Sequence, residues 1–196
     1  NYWIFEGGLD GTMPIAYAMK QAAQLGFDGI ELCIASQGVL TQKTTQVECE
    51  TFCEEAQKNG LEISGVASGE SWGCSPTSYD PEVRQSIIDF TKKSLQITKW
   101  LGTDAYLFVP GAVDVFFLPD GEVVPYDVCY QRATDSIFQI APTAEKLGVS
   151  IAVENVWNKF LLSPLEMRSF IDQFHSRNVG AYFDVGNVFL TGYPEL

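Results

Sequence analysis

The 196-residue sequence predicts one α/β domain in which parallel strands alternate with helices. Short apolar runs are separated by longer segments with helical periodicity, and the strands are apolar along most of their length. Such strands are typical of a parallel sheet that is buried on both faces. Because no linker or change of composition divides the chain, we assign residues 1–196 to a single domain.

Six strands and five helices are predicted from these patterns. The strands are expected at Tyr2–Glu6, Gly29–Ile34, Leu61–Ser68, Ala105–Pro110, Val149–Val156 and Val179–Val185. The helices are expected at Pro14–Leu25, Thr45–Lys58, Pro81–Leu101, Val128–Leu147 and Pro164–Ser176. Gly26, Gly60 and Gly148 mark three helix ends, since glycine tolerates the left-handed conformation found there. Pro81 and Pro164 suit the first helical position.

An insertion is predicted after the fourth strand. The segment Val115–Tyr126 reads VFFLPDGEVVPY, in which two β-prone arms flank Pro119-Asp120-Gly121. Turn residues between two such arms predict a β-hairpin.

Two parallel architectures fit this order of elements, an open doubly wound sheet and a (β/α)₈ barrel. A dinucleotide-binding doubly wound sheet would carry GxGxxG after its first strand, where this sequence has GGLDG, and the P-loop pattern GxxxxGK[ST] is also absent. Each strand–helix unit takes about 35 residues, so two further units would reach the usual size of a barrel. We therefore expect a barrel that is truncated after its sixth strand.

Composition excludes several classes of function. Twelve Lys and Arg residues against 25 Asp and Glu residues give a net charge of −13, which disfavours nucleic acid as a partner. No apolar run is long enough to cross a bilayer, and no basic segment precedes the first apolar run as in a signal peptide. The five cysteines are odd in number and scattered, which predicts reduced thiols and a cytoplasmic protein.

The expected position of the chemistry is the carboxyl end of the strands, where active sites of parallel α/β folds lie. Glu154 and Asp184 end the fifth and sixth predicted strands, where an ionised carboxylate is costly unless a cation or hydrogen bonds offset the cost. Ends of adjacent strands lie about 5 Å apart, so both carboxylates could reach one ion. The ion would be Mg²⁺ or Mn²⁺, or Co²⁺ or Zn²⁺ if imidazole joined. Alternatively, these carboxylates are structural and accept backbone N–H bonds.

Five further residues are candidates for binding a substrate. Glu31 could accept a hydrogen bond from a hydroxyl group or could brace the barrel mouth. Trp72 and Trp157 follow strand ends and could form apolar walls against a sugar ring, or could pack on their own loops. Asn158 and Lys159 could bind hydroxyls or an anionic group. Phosphate is usually bound in barrels by the loops after strands 7 and 8, which this sequence lacks.

Two stretches of the sequence resemble the sugar phosphate isomerase/epimerase superfamily, the xylose isomerase-like TIM barrels. They are AVENVWNKFLLSPLEM followed by VGAYFDVGNV, and the weaker GFDGIEL, and the similarity extends over essentially the whole chain. The resemblance implies a TIM barrel of the xylose isomerase-like type. It also implies that Glu154 is both a metal ligand and the acid/base catalyst, with Asp184 as a second metal ligand.

The resemblance further implies a metal-ligating His after strand 7 and a Glu after strand 8, neither of which this sequence contains. The single histidine, His175, precedes the sixth strand and is interpreted as a surface or helix-end residue. Some relatives carry a histidine three residues after the Asp that ends this strand. This sequence has Asn187 there, which resembles a subgroup with DVGN, and Asn187 is a candidate for substrate binding.

The activity implied by the resemblance is metal-dependent isomerisation or epimerisation of a sugar or sugar phosphate. A proton would move at a carbon next to a carbonyl, through an enediolate. A lyase of the inosose dehydratase type is an alternative that stays open. An enzyme of the endonuclease IV type is disfavoured, because it needs several histidines and a basic face, whereas this chain has one histidine and a net charge of −13. As a truncated barrel the chain is expected to be inactive, or to be completed by a partner. Its two exposed sheet edges could pair in a homo-oligomer.

Overall fold

The computed structural model describes residues 1–191 and has a five-stranded parallel sheet with helices packed against it. The strands are β1 (Gly29–Cys33), β2 (Glu62–Ala67), β3 (Ala105–Phe108), β4 (Ser150–Glu154) and β5 (Val179–Tyr182). The helices are α1 (Ile15–Gln24), α2 (Gln46–Lys58), α3 (Glu70–Gly73), α4 (Pro81–Trp100), α5 (Tyr126–Leu147), α6 (Pro164–Asp172) and α7 (Val185–Thr191). The predicted α/β class with parallel strands is confirmed.

The sheet is curled in the manner of a barrel. Its strands are ordered β1-β2-β3-β4-β5, without the reversal that marks a doubly wound sheet. The hydroxyl of Tyr182 on β5 donates to both carboxylate oxygens of Glu31 on β1, at 3.1 Å each. In a flat sheet β1 and β5 would be about 19 Å apart, which is more than these two side chains can span. The two outer strands therefore face each other across a curved sheet.

Both faces of the sheet are buried along β1, β3 and β4, as the apolar strands predict, whereas β5 is buried only at Val179. Along β3, Tyr106 and Phe108 join the main core between the sheet and the helices. Leu107 points to the opposite face and packs with Ala67 and Val109 inside the curl. Since successive strand residues point to opposite faces, the same strands contribute side chains to the main core and to this inner face.

The first predicted strand, Tyr2–Glu6, is wrong. Residues Tyr2–Ile4 form a 3₁₀-helix, which is capped by the Asn1 side chain accepting from the Trp3 N–H at 2.8 Å. A short apolar run does not distinguish a strand from a helical turn by periodicity alone. The chain instead folds back at once, because the Gly8 N–H donates to the carbonyl of Phe5 at 2.8 Å.

The predicted hairpin at Val115–Tyr126 is also wrong, since this segment consists of turns and irregular chain up to the start of α5. Two turns follow one another, the second closed by the Gly121 N–H donating to the carbonyl of Leu118 at 2.8 Å. Pro119 and Pro125 carry no N–H and cannot take part in a ladder as donors. Of its β-prone residues, Phe116 and Phe117 pack on tryptophans of neighbouring loops, Val124 joins the main core and Val123 is exposed.

Five predicted helix boundaries are confirmed by capping features, whereas α5 begins at Tyr126 rather than Val128 and α6 ends at Asp172 rather than Ser176. Gly26, Gly60 and Gly148 follow three helices with φ of +83°, +69° and +65°. The side chains of Asp80 and Ser163 cap the two helices that begin with proline. The two helices that were not predicted, α3 and α7, are short and follow strand ends.

Two further features of residues 1–191 concern membrane spans and cysteines. No helix in this part of the chain has the length and apolarity needed to cross a membrane. All five cysteines are free thiols. The cytoplasmic location stays a prediction.

Gly111, just beyond β3, gives a test of the fold. It has a φ of +128°, and a Cβ added there would lie 2.2 Å from Cγ2 of the buried Thr77. We expect Gly111→Ala to lower the free energy of unfolding by about 3 kcal/mol, through backbone strain and overpacking. Urea unfolding measures the loss.

Gly180→Ala on β5 is the matched control. Its added Cβ would meet no atom within 4 Å, and its φ lies outside the left-handed region. We expect a change within about 0.5 kcal/mol. Equal losses in the two variants would contradict the close approach of Gly111 and Thr77.

Candidate active site

A cavity of about 570 Å³ opens at the carboxyl ends of the strands. Five of the residues that the sequence predicts as site residues line it, namely Trp72, Glu154, Trp157, Asp184 and Asn187. Trp3, Glu70 and Phe117 also line it and were not predicted as site residues. The parallel sheet thus brings together residues from the loops after β2, β3, β4 and β5.

Glu154 ends β4 and is partly buried at the cavity. Burial, reinforced by the negative charges of Asp184 and Glu31, raises the pKa of Glu154 to about 7. A hydrogen bond from Nδ2 of Asn187 to Oε1, at 3.3 Å, opposes that rise. A carboxyl group with a pKa near neutrality can both accept and return a proton, which general acid–base catalysis requires.

Asp184 is tied to the end of β4 by a network of amides. Its N–H donates to Oδ1 of Asn155 at 2.8 Å, and Nδ2 of Asn155 donates back to the Asp184 carbonyl at 2.9 Å. The Asp184 carboxylate accepts the N–H of Asn187 at 2.6 Å, at the start of α7. One carboxylate oxygen therefore has the structural role considered above, while the residue still lines the cavity.

Glu31 lies deeper, inside the curled sheet, and does not line the cavity. Besides Tyr182, the side-chain amide of Asn1 donates to its carboxylate. Burial raises the pKa of Glu31 despite these hydrogen bonds. These contacts favour a bracing role, and a contact between Glu31 and substrate stays a prediction.

Asn158 and Lys159 point away from the cavity. Asn158 is 1% exposed; its Nδ2 donates to the Gly111 carbonyl at 2.7 Å, and its Oδ1 accepts the Phe160 N–H at 3.1 Å. Lys159 forms an exposed ion pair with Asp114. Substrate binding by either residue stays a prediction, and the contacts favour structural roles.

Four aromatic residues, Trp72, Phe116, Phe117 and Trp157, form what we call the aromatic cluster at the cavity rim. Ring centroids are 5.1 Å apart for Trp72 and Phe117, 5.3 Å for Phe116 and Phe117, and 6.1 Å for Phe116 and Trp157. The two phenylalanines were missed because their segment was interpreted as a hairpin. Adjacent aromatics in a loop rich in proline and glycine were the available signal.

Glu70 also lines the cavity, in addition to Glu154 and Asp184, and is the carboxylate that was not selected from the sequence. It begins α3, directly after β2, and its Oε1 accepts the Ser36 N–H at 2.7 Å. Its position two residues beyond a predicted strand end was the available signal.

Glu154 and Asp184 fit a divalent cation as part of its donor set. No Lys, Arg or His lines the described cavity, and the Asp184 charge raises the pKa of Glu154. A cation between them would relieve this repulsion, and carboxylate oxygens suit Mg²⁺ and Mn²⁺. Within residues 1–191 no three His, Cys, Asp or Glu side chains are grouped to hold a metal. His175 is exposed just beyond α6, in agreement with its interpretation as a surface residue.

Comparison with known proteins gives one family match and a set of similar structures. The family model described as xylose isomerase-like TIM barrel matches residues 19–196. No curated protein matches. A D-psicose 3-epimerase crystallised in the presence of D-fructose superposes with a TM-score of 0.75 at 22% identity, over 91% of this chain and 60% of the other.

Two further structures extend the comparison. A 3-keto-D-glucoside 4-epimerase from E. coli has a TM-score of 0.72 at 15% identity, over 90% of this chain and 65% of that one. A xylose isomerase-like TIM barrel protein from Mycobacterium smegmatis, in complex with magnesium, has a TM-score of 0.65 at 20% identity, over 90% and 58%. This chain therefore spans about three fifths of the length of such structures. It belongs to the xylose isomerase-like TIM barrel family, and the predicted barrel type is confirmed.

The contacts of Asn158 predict a large effect on stability. We expect Asn158→Ala to lower the free energy of unfolding by about 2 kcal/mol, because it leaves the Gly111 carbonyl and the Phe160 N–H without their buried partner. Lys159→Ala is the control, with an expected loss below about 1 kcal/mol for an exposed ion pair. Urea unfolding of both variants checks this, and equal small losses would contradict the structural role of Asn158.

Proposed function

We propose that this member of the xylose isomerase-like TIM barrel family is a metal-dependent sugar isomerase or epimerase. The observation that carries the proposal is the placement of Glu154 and Asp184, at the ends of neighbouring strands and on the wall of one cavity. The similarity in fold to a D-psicose 3-epimerase and a 3-keto-D-glucoside 4-epimerase supports the same reaction class.

Glu154 is the proposed base. Its carboxylate takes the proton from a substrate carbon next to a carbonyl and, once protonated, returns it to the substrate as an acid. Asn187 orients the Glu154 carboxylate through its hydrogen bond to Oε1. Without a bound cation this hydrogen bond favours the charged form, whereas burial and the neighbouring carboxylates raise the pKa of Glu154 to about 7.

Glu154 and Asp184 are the proposed protein ligands of a divalent cation. Such an ion supplies stabilisation of negative charge on the substrate oxygens when it is bound. Asp184 is held for this role by Asn155 and by the N–H of Asn187, which fix its main chain and one carboxylate oxygen.

The proposed substrate is a sugar or a sugar phosphate. The described cavity wall carries Glu70, Glu154 and Asp184 and no basic residue, so this part of the site offers no side chain that would pair with a phosphate. Lys159, the basic residue in the loop after β4, is paired with Asp114 and is not part of the described cavity wall.

Proton abstraction is the step that this chain's own residues can be tested for. Epimerisation needs a second acid/base group on the other face of the substrate. That this chain alone does not turn over substrate stays a prediction. Exchange of a substrate C–H proton with solvent needs the base and the charge stabilisation that the cation would supply, but not that second group. It is therefore the appropriate readout for Glu154.

We expect Glu154→Gln to reduce solvent deuterium exchange at the carbon next to the carbonyl of D-fructose by about 100-fold or more, since it removes the base. The melting temperature should not fall, because a carboxylate whose charge is destabilised by burial is replaced by a neutral amide. Proton NMR in D₂O with Mn²⁺ present measures the exchange. Glu62→Gln, an exposed carboxylate at the start of β2, is the control and should exchange at the wild-type rate. Exchange that persists in Glu154→Gln would exclude this residue as the base.

We expect Asp184→Asn to weaken Mn²⁺ binding by about tenfold or more, since even indirect partners of a metal ligand contribute 10- to 100-fold. Asparagine can still accept the N–H of Asn187 at the start of α7, so the local fold should persist. Electron paramagnetic resonance titration of free Mn²⁺ measures affinity, with Glu62→Gln again as control. Unchanged affinity in Asp184→Asn would remove it from the ligand set.

A further inference from the structure

The aromatic cluster extends beyond the cavity wall. Trp72, Phe117 and Trp157 line the cavity, whereas Phe116 does not, although its ring contacts both Phe117 and Trp157. Phe116 is 69% exposed and Trp157 is 37% exposed. Apolar ring surface therefore continues from the cavity outwards onto the open rim.

The loop that carries Phe116 and Phe117 is fixed to its surroundings on both sides. Before them, the Val113 N–H donates to the Asn158 carbonyl at 2.9 Å. After them, the Glu122 carboxylate accepts the Ser78 hydroxyl at 3.0 Å and the Tyr79 N–H at 2.9 Å. The exposed rings are thus held in place, and their exposure is not the result of an unanchored loop.

Exposure of these rings lowers stability, because each Å² of apolar surface left in water forgoes about 25 cal/mol. Contiguous exposed apolar surface beside a cavity is typical of a place where a ligand binds. The packing within the cluster is mainly edge-to-face, with interplanar angles of 71° for Trp72 and Phe117 and 89° for Phe116 and Phe117. This packing does not cover the rings with stacked neighbours, so a flat ring can pack against them.

The position of the cluster relative to the carboxylates defines what can reach both. Glu154 and Asp184 stand at strand ends, whereas the cluster is built by the loops after β2, β3 and β4. A single sugar at the carboxylates would contact the cavity wall but not Phe116, which lies outside it. A substrate with a second ring attached would occupy both places.

We propose that the outer part of the aromatic cluster, formed by Phe116 where it contacts Phe117 and Trp157, is a second subsite. It binds an uncharged sugar ring linked to the reacting sugar, so that the substrate is a glycoside. The proposal rests on the proposed function, because Glu154 defines the reacting end. The second ring is uncharged because no Lys, Arg or His of the described residues lines the cavity beside the cluster. A sugar ring suits the cluster because its C–H face is apolar while its hydroxyls stay in water.

The test compares a free ketose with ketose disaccharides. Titrations with Mn²⁺ present, followed by calorimetry and by tryptophan fluorescence, give dissociation constants for D-fructose, lactulose and isomaltulose. The last two carry a second ring on O4 or O6 of a fructose unit and leave the carbons next to the carbonyl free. We expect at least one disaccharide to bind about fivefold or more tightly than D-fructose, as one aromatic contact contributes about 1 kcal/mol.

Phe116→Ala should remove that preference and leave D-fructose binding unchanged, since Phe116 lies outside the cavity. Phe116→Leu, which keeps apolar bulk without a ring, should lose most of the preference and guards against a folding defect in the alanine variant. Phe27→Ala is the matched control, because Phe27 is 52% exposed and precedes β1 at the opposite end of the strands. It should retain the preference in full.

Three outcomes overturn the proposal. Equal binding of all three sugars, or a preference that survives Phe116→Ala, overturns the second subsite but leaves the proposed function intact, since D-fructose is still bound. A change of oligomeric state in Phe116→Ala with unchanged sugar binding assigns the cluster to contact between copies instead. Failure of D-fructose both to bind and to exchange its proton contradicts the proposed function, and the subsite with it.

Discussion

The hydrogen bond between Tyr182 and Glu31 joins two strands that are the outer edges of the same sheet. The influence of β1 on the site depends on the curvature that this contact requires. Curvature turns the inner face of five strands towards one volume, so that side chains from β1, β4 and β5 influence one another although they are distant in sequence. The Glu31 charge reaches Glu154 for this reason, and it contributes to the raised pKa of that carboxyl group.

The carboxylates inside this curve oppose folding stability. Glu31 and Glu154 are desolvated, both have raised pKa values, and no described basic side chain lines the cavity. Uncompensated burial of charge is unfavourable. The chain limits this cost with neutral donors, namely Tyr182 to Glu31 and Asn187 to Glu154, which orient these carboxylates without neutralising them. Such a site retains negative charge that a divalent cation can bind, whereas lysine or arginine partners would cancel it.

The sequence was sufficient to predict the elements whose signals are local or periodic. Strands β1 to β5 and the five long helices follow from apolar runs, proline starts and glycine ends, and Glu154 and Asp184 follow from charge at the end of such a run. The two errors, at Tyr2–Glu6 and at Val115–Tyr126, have a common origin. In both segments the β-prone apolar side chains are used for packing in a conformation that is not a strand. Tyr2 is buried in the main core from a 3₁₀-helix, and Phe116 and Phe117 pack on tryptophans from other loops. Those partners are distant in sequence, so propensity in a short window does not reveal them.

The loop after β4 shows why closeness in sequence to a candidate site residue does not assign a role. Trp157, Asn158 and Lys159 are consecutive, yet each has a different environment. Trp157 lines the cavity, whereas the buried Asn158 donates a hydrogen bond to the Gly111 carbonyl of a neighbouring loop. Lys159, whose φ is +53°, forms an ion pair with Asp114. The loop has no regular alternation, so each direction is set by a separate contact. The Asn158 carbonyl also accepts the Val113 N–H, so the loops that carry Trp157 and Phe116 are joined. The aromatic cluster and the end of β4 that presents Glu154 are therefore parts of one connected structure. Under the proposed function, this connection would let a group bound at the aromatic cluster position the reacting carbon beside Glu154.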